Sequence, residues 1–172
     1  MNVALRFEAP GDAAAVREIN ERAFGGTFEA RLVEALRGTD GSISLVAIAA
    51  DRVQPVGHIL FTPVTVEPPR EPGVRIAGLA PVAVLPGYQR AGIGSRLVRE
   101  GLAECSRRGY AAVILVGHAE YYPRFGFAPA HAWNLTCEFD VPPDAFMAVE
   151  LVPGALTRQP GLVRYRPEFS TL

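Results

Sequence analysis

Residues 81–95 read Pro-Val-Ala-Val-Leu-Pro-Gly-Tyr-Gln-Arg-Ala-Gly-Ile-Gly-Ser: an apolar strand, a tight turn and a glycine-opened helix start. A junction of this kind aims several backbone N–H groups at one spot, backed by the positive end of a helix dipole. That makes an anion site, whose natural ligand is a phosphate or pyrophosphate. Spacing decides which one. A P-loop needs GxxxxGK[ST]; Gly87 and Gly92 fit its first half, but Ile93 and Gly94 stand where Lys and Ser/Thr must be. A dinucleotide fingerprint needs GxGxxG, and Leu97 occupies the place of its last glycine or alanine. A nucleotide-binding α/β domain is therefore disfavoured. What is left is Gln89-x-x-Gly92-x-Gly94, preceded by a Val-Ala-Val-Leu-Pro strand and followed by an amphipathic helix.

A second element stands one strand further on. After Ala111-Ala-Val-Ile-Leu-Val116 comes Gly-His-Ala-Glu-Tyr-Tyr-Pro-Arg-Phe-Gly-Phe127, with a Tyr122-x-x-x-Gly126-Phe127 spacing. The Gln89–Gly94 pattern resembles the acetyl-CoA-binding motif of the GCN5-related N-acetyltransferases (GNAT). Tyr122-x-x-x-Gly126-Phe127 is similar to the segment that closes the acyl-CoA cleft in that superfamily. With Glu29–Arg37 and Phe146–Gly154 added, nearly the whole chain resembles the YhbS-type subgroup of predicted acetyltransferases.

Composition excludes several alternatives. Net charge is −1 and no dense basic cluster stands out, so nucleic-acid binding is not indicated. Arg107-Arg108 reads as the basic last turn of a helix. All 17 basic residues are arginine, which removes lysine Schiff-base and lysine-nucleophile chemistry. Residues 1–12 carry neither a basic nor an apolar leader pattern, and no run reaches transmembrane length; a cytoplasmic protein is expected, with no membrane partner. Cys105 and Cys137 lack metal or redox spacing, so no metal is expected and both cysteines read as structural.

Periodicity predicts a strand over 3–8, helices over 10–24 and 27–37 (the second capped by Thr27), and a hairpin of 44–50 with 56–67. A central strand follows over 76–85, a long helix over 92–108, a buried strand over 113–116 and a short helix over 121–125. Residues 133–139 and 145–151 read as a closing antiparallel pair. The order β-α-α-β-β-β-α-β-α-β-β is α/β. The resemblance implies a mixed, mostly antiparallel, twisted sheet flanked by helices. Residues 1–172 are expected to form a single N-acetyltransferase domain, with 155–172 a C-terminal extension adding an edge strand near 161–165.

The resemblance also implies roles. Acetyl-CoA would be the acyl donor. Its pantetheine would pair with the backbone of Val82, Ala83 and Val84, and its pyrophosphate would sit on the N–H groups around Gln89, Arg90, Ala91, Gly92, Ile93, Gly94 and Ser95. Gly92 and Gly94 would let phosphates approach without a Cβ clash. The Arg90 side chain either reaches a phosphate or is simply solvated. Matched to the family pattern, Tyr122 would donate a proton to the departing thiolate. The base is open: the 76–85 strand has no Asp, Glu or His, which leaves Glu29, His118 and Glu120 as candidates. His58 and His131 read as structural. The acceptor pocket would be lined by Phe24, Phe28, Trp133 and Phe146, which suits an uncharged or partly apolar amine. The expected reaction is direct acetyl transfer to a primary amine in a ternary complex, the acceptor being a small molecule or a peptide. The alternative is a non-catalytic acyl-CoA-binding sensor or interaction module. Either a monomer or a homodimer is compatible.

Overall fold

A computed structural model describes residues 2–69, 73–157 and 160–172. Residues 158–159 of the C-terminal extension thus lie outside the described residues. The chain divides into two compact units. The first holds Met1–Phe61, Ala80–Gly101 and Pro167–Leu172; the second holds Thr62–Leu79 and Leu102–Arg166.

In the first unit, β1 (Val3–Phe7) pairs antiparallel with β2 (Ile43–Ala49), Leu5 opposite Ala47. β2 pairs antiparallel with the start of β3 (Gly57–Glu67), Leu45 opposite Ile59. Five of the seven β2 residues are buried, because β2 has a strand on each side and both faces covered. Helices α1 (Ala13–Phe24) and α2 (Phe28–Leu36) are amphipathic. Val16, Leu32, Val33 and Leu36 meet Val46 and Leu60 of the sheet in one core cluster, and Phe169 from the short helix α4 (Glu168–Thr171) packs against it. Thr27 stands at the N-cap of α2 but makes no side-chain capping bond, contrary to expectation; its backbone is already near-helical, with φ −105° and ψ −5°.

Strand β4 (Ile76–Val84) leads through a 3₁₀ turn at Pro86–Tyr88 into helix α3 (Ile93–Arg107). The start of α3 lies tightly on the sheet: a Cβ on Gly57 would stand 3.1 Å from both Ile93 and Leu97. This close seating fixes where the helix N-terminus points.

Beneath α1 runs a buried polar chain. The Asn20 amide donates to Val16 O (2.9 Å) and faces His58 Nδ1 (3.3 Å); His58 Nε2 lies 3.0 Å from Ser44 Oγ, which donates to Glu8. Arg37 closes the chain with two bonds to the other Glu8 oxygen, at 3.0 and 2.8 Å. The bonds run in one direction if His58 is neutral with its proton on Nε2. Burial favours that form, pushing the imidazole pKa down to about 4. His58 is thus a satisfied core histidine.

In the second unit, the first residues of β4 pair parallel with β5 (Ala112–Val116), from Ile76 opposite Ala112 to Gly78 opposite Ile114. β5 pairs antiparallel with β8 (Phe146–Glu150), and β8 with the two-residue β6 (Ala128–Pro129). β7 (Leu135–Cys137) pairs parallel with β9 (Gly161–Arg164), which also pairs antiparallel with the end of β3.

The expected closing pair of 133–139 with 145–151 does not form. β8 is taken on both sides by β5 and β6. β7 is held to β9 instead, and Glu138 shows why: its carboxylate accepts the Tyr165 N–H at 2.6 Å and Arg164 at 3.4 Å.

Candidate functional site

In the first unit the candidates cluster around the turn between β4 and α3. Ala83 is buried, while Val82 and Val84 are partly exposed. The ladder of β4 with β5 covers Ile76, Ala77 and Gly78 and no later residue of β4. Two ties shape the turn. The Gln89 side chain donates back to Val84 O at 2.9 Å, and Tyr88 Oη donates to Asp51 of the β2–β3 turn at 3.1 Å. Gln89 therefore acts through its side chain as a brace.

Beyond it the backbone turns left-handed twice, at Arg90 (φ 61°) and Gly92 (φ 81°). Alternation of this sort curls successive N–H groups into a concave nest that suits an anion. A Cβ on Gly92 would meet nothing within 4 Å, so the glycine there serves its backbone conformation and keeps the approach open. Arg96 N–H donates to Gly92 O at 3.0 Å and closes the first turn of α3. Arg90 and Ala91 are exposed, Gly94 and Ser95 partly so, and Ile93 is buried as the anchor. The left-handed conformation at Arg90 had no signal in residue type, since arginine rarely adopts it.

The corner between α1 and α2 holds three more candidates of the same unit. Phe24 is 47 % exposed and Phe28 44 %, large values for aromatic side chains; Glu29 is half-buried in the first turn of α2.

In the second unit the site is built on the segment after β5. Gly117 N–H donates to Ala145 O at 2.9 Å, Tyr121 N–H to His118 O at 3.0 Å, and a 3₁₀ turn over Tyr122–Phe125 ends at Gly126 (φ 92°). This folds Tyr122 inward, to 7 % exposure. Its ring meets the edges of Tyr121 and Phe127 at centroid distances of 5.0 and 5.7 Å. Burial pushes the phenol up to about 12. The phenol therefore stays protonated through the neutral range.

Tyr121 points elsewhere. Arg124 lies over its ring at 4.6 Å and donates to its carbonyl at 2.8 Å. His118, Ala119, Glu120, Tyr121 and Arg124 rim a shallow surface depression of about 390 Å³ to which Tyr122 does not contribute. His118 and Glu120 thus share a rim and are both exposed. Trp133 is partly buried in a 3₁₀ turn, and Phe146 is a core residue of β8 at 4 % exposure. His131 is exposed, 3.5 Å from Asp144. Among the described residues no group of three or more His, Cys, Asp or Glu could hold a metal, and no helix is long and apolar enough to cross a membrane.

A family profile described as "Acetyltransferase (GNAT) domain" matches residues 5–130. The chain belongs to the GNAT acetyltransferase family. It is 36 % identical over 167 residues to the uncharacterized N-acetyltransferase YhbS of Escherichia coli K12, covering 96 % of this chain and 98 % of that protein. A crystal structure of Escherichia coli YhbS in complex with CoA matches with a TM-score of 0.90 at 34 % identity, over 100 % of this chain and 94 % of that one. A GNAT acetyltransferase from Brucella melitensis in complex with acetyl-CoA matches with a TM-score of 0.78 at 34 % identity, over 98 % of each chain. The GNAT fold is the mixed, mostly antiparallel α/β fold that the element order and the resemblance predict.

Proposed function

We propose that this GNAT protein moves the acetyl group of acetyl-CoA directly onto a primary amine, without an acyl-enzyme. The observation that carries the chemistry is the inward fold of Tyr122, 7 % exposed with its ring packed against Tyr121 and Phe127. As the thioester C–S bond breaks, negative charge collects on sulfur, and a donor fixed in a poorly solvated place stabilises it. A phenol near 12 stays protonated throughout the neutral range. It lies above an ordinary thiol, about 8.5, so full proton transfer becomes favourable as the sulfur is itself desolvated. Until then the hydroxyl acts by hydrogen bonding.

Acetyl-CoA binding is supported by the left-handed turn at Arg90 and Gly92, the helix start that follows it and the cofactors of the two relatives. The pyrophosphate would rest on residues 90–95 and the pantetheine along Val82–Val84. Orienting both reactants is itself worth much of the barrier. Glu29, His118 and Glu120 remain the candidates for receiving the amine proton. The exposed Phe24 and Phe28 favour an acceptor with an apolar body, a small molecule or a peptide end, over a polyamine.

The test is release of free CoA thiol from acetyl-CoA in the presence of an amine panel, from aryl-alkyl amines to spermidine. Amine-dependent release, fastest with the apolar amines, is expected. Tight acetyl-CoA binding with no release for any amine would replace this reading with that of an acyl-CoA sensor.

A further inference from the structure

We propose that Gly117 is a positioning residue for the Tyr122 hydroxyl, because the space left by its missing side chain is where the tyrosine ring lies. This rests on Tyr122 acting at the departing sulfur. A Cβ built on Gly117 would run into Cε2 of Tyr122 and come within 3.1 Å of Cδ2 and 3.2 Å of the Leu115 side chain. The backbone at Gly117 is not left-handed, so no turn geometry demands glycine there. Room for the ring is what demands it.

Neither partner can yield freely. Leu115 and Val116 are in register with Met147 and Phe146 of β8, and Gly117 N–H is tied to Ala145 O at 2.9 Å. The ring meets Tyr121, Phe127 and Phe125 at centroid distances of 5.0, 5.7 and 6.3 Å. Close packing of this kind transmits a methyl-sized intrusion instead of absorbing it. Cε2 is bonded to the carbon that bears the hydroxyl. A push there moves the donor itself.

The experiment is a double-mutant cycle on the full chain: wild type, Gly117→Ala, Tyr122→Phe and the double variant, with kcat for acetyl transfer and acetyl-CoA Kd measured for each. Gly117→Ala should lower kcat roughly tenfold to hundredfold, the usual effect of misplacing a reacting group by about 1 Å, with Kd nearly unchanged. In the Tyr122→Phe background the same substitution should cost almost nothing, since no hydroxyl remains to misplace. A kcat loss that recurs in full in that background overturns the proposal, as does wild-type kcat in folded Gly117→Ala. Wild-type kcat in Tyr122→Phe alone would instead overturn the role of Tyr122, and this proposal with it. Should Gly117→Ala fail to fold, Gly117→Ala/Phe127→Leu gives the ring room to yield and is read in the same cycle. Recovery of folding with kcat still low is expected, and recovery of both overturns the proposal.

Discussion

Between β4 and α3 the chain exposes most of its side chains and offers its backbone; between β5 and β6 it folds one tyrosine inward and packs its ring. The first region needs a conformation, supplied by left-handed Arg90 and Gly92 and by a helix start seated on Gly57. Most of its side chains could change without altering what the amides do. The second region needs one atom in one place. Its neighbours matter through volume, as the contact between Gly117 and Tyr122 shows. Binding and chemistry are therefore expected to fail separately, and to different kinds of substitution.

The largest effect is expected from Tyr122→Phe, which keeps the ring and deletes the donor. We predict a loss in kcat at the low end of roughly 10²–10⁴-fold, because a thiolate is already a fair leaving group. Steady-state rates at saturating acetyl-CoA check it. The phenol near 12 adds a constraint: no fall in kcat below pH 11 should trace to Tyr122, so an alkaline limb that vanishes in Tyr122→Phe would contradict its protonated role.

Next comes Gly92→Val, which places a branched side chain at φ 81° in the turn proposed to hold the pyrophosphate. Acetyl-CoA affinity should fall by one to several orders of magnitude while the melting curve shows only the cost of a strained turn, of order 1–3 kcal/mol. Arg90→Gly sharpens the contrast. If the amides do the binding, affinity measured by calorimetry changes little and the left-handed strain is relieved. Loss of a charge-assisted phosphate contact, about 1.5–3 kcal/mol, would show that the guanidinium is part of the grip.

A change outside both regions should alter stability alone. His58 takes up a proton near pH 6.5 when unfolded but only near 4 when folded. Between those values the unfolded chain holds the extra proton, so stability falls as pH is lowered from about 6.5 toward 4. Denaturant midpoints across that range should show the slope, and His58→Gln should flatten it. The smallest effect belongs to Tyr121→Phe, whose ring lies under Arg124 on the outer depression. Near-wild-type rates are expected, and a large loss would move the donor role from Tyr122 to its neighbour.

The same contrast governs how much could be read beforehand. The glycine turn was legible because its requirement is local: Gln89-x-x-Gly92-x-Gly94 names the residues that a backbone nest and a helix start need. Tyr122 was legible through its spacing to Gly126 and Phe127. Gly117 was not, because its role is a missing volume beside a ring five residues on. The pairing of β7 was misjudged for a related reason. Alternation reports which face of a strand is buried, but the choice of β9 over β8 rests on Glu138 meeting Arg164 and Tyr165 across a long stretch of chain. The direction of the Glu8–Ser44–His58–Asn20 chain was equally invisible, since it brings together the residue after β1 with β2, β3 and α1.

The separation of binding from chemistry is tested most directly by measuring acetyl-CoA Kd and saturating kcat side by side in Gly94→Val and Tyr122→Phe. The account predicts a crossed result: Gly94→Val loses affinity but turns over normally once saturated, while Tyr122→Phe binds normally and turns over slowly. If both variants lose the same quantity, the anion-binding turn and the tyrosine do not hold the separate roles assigned to them.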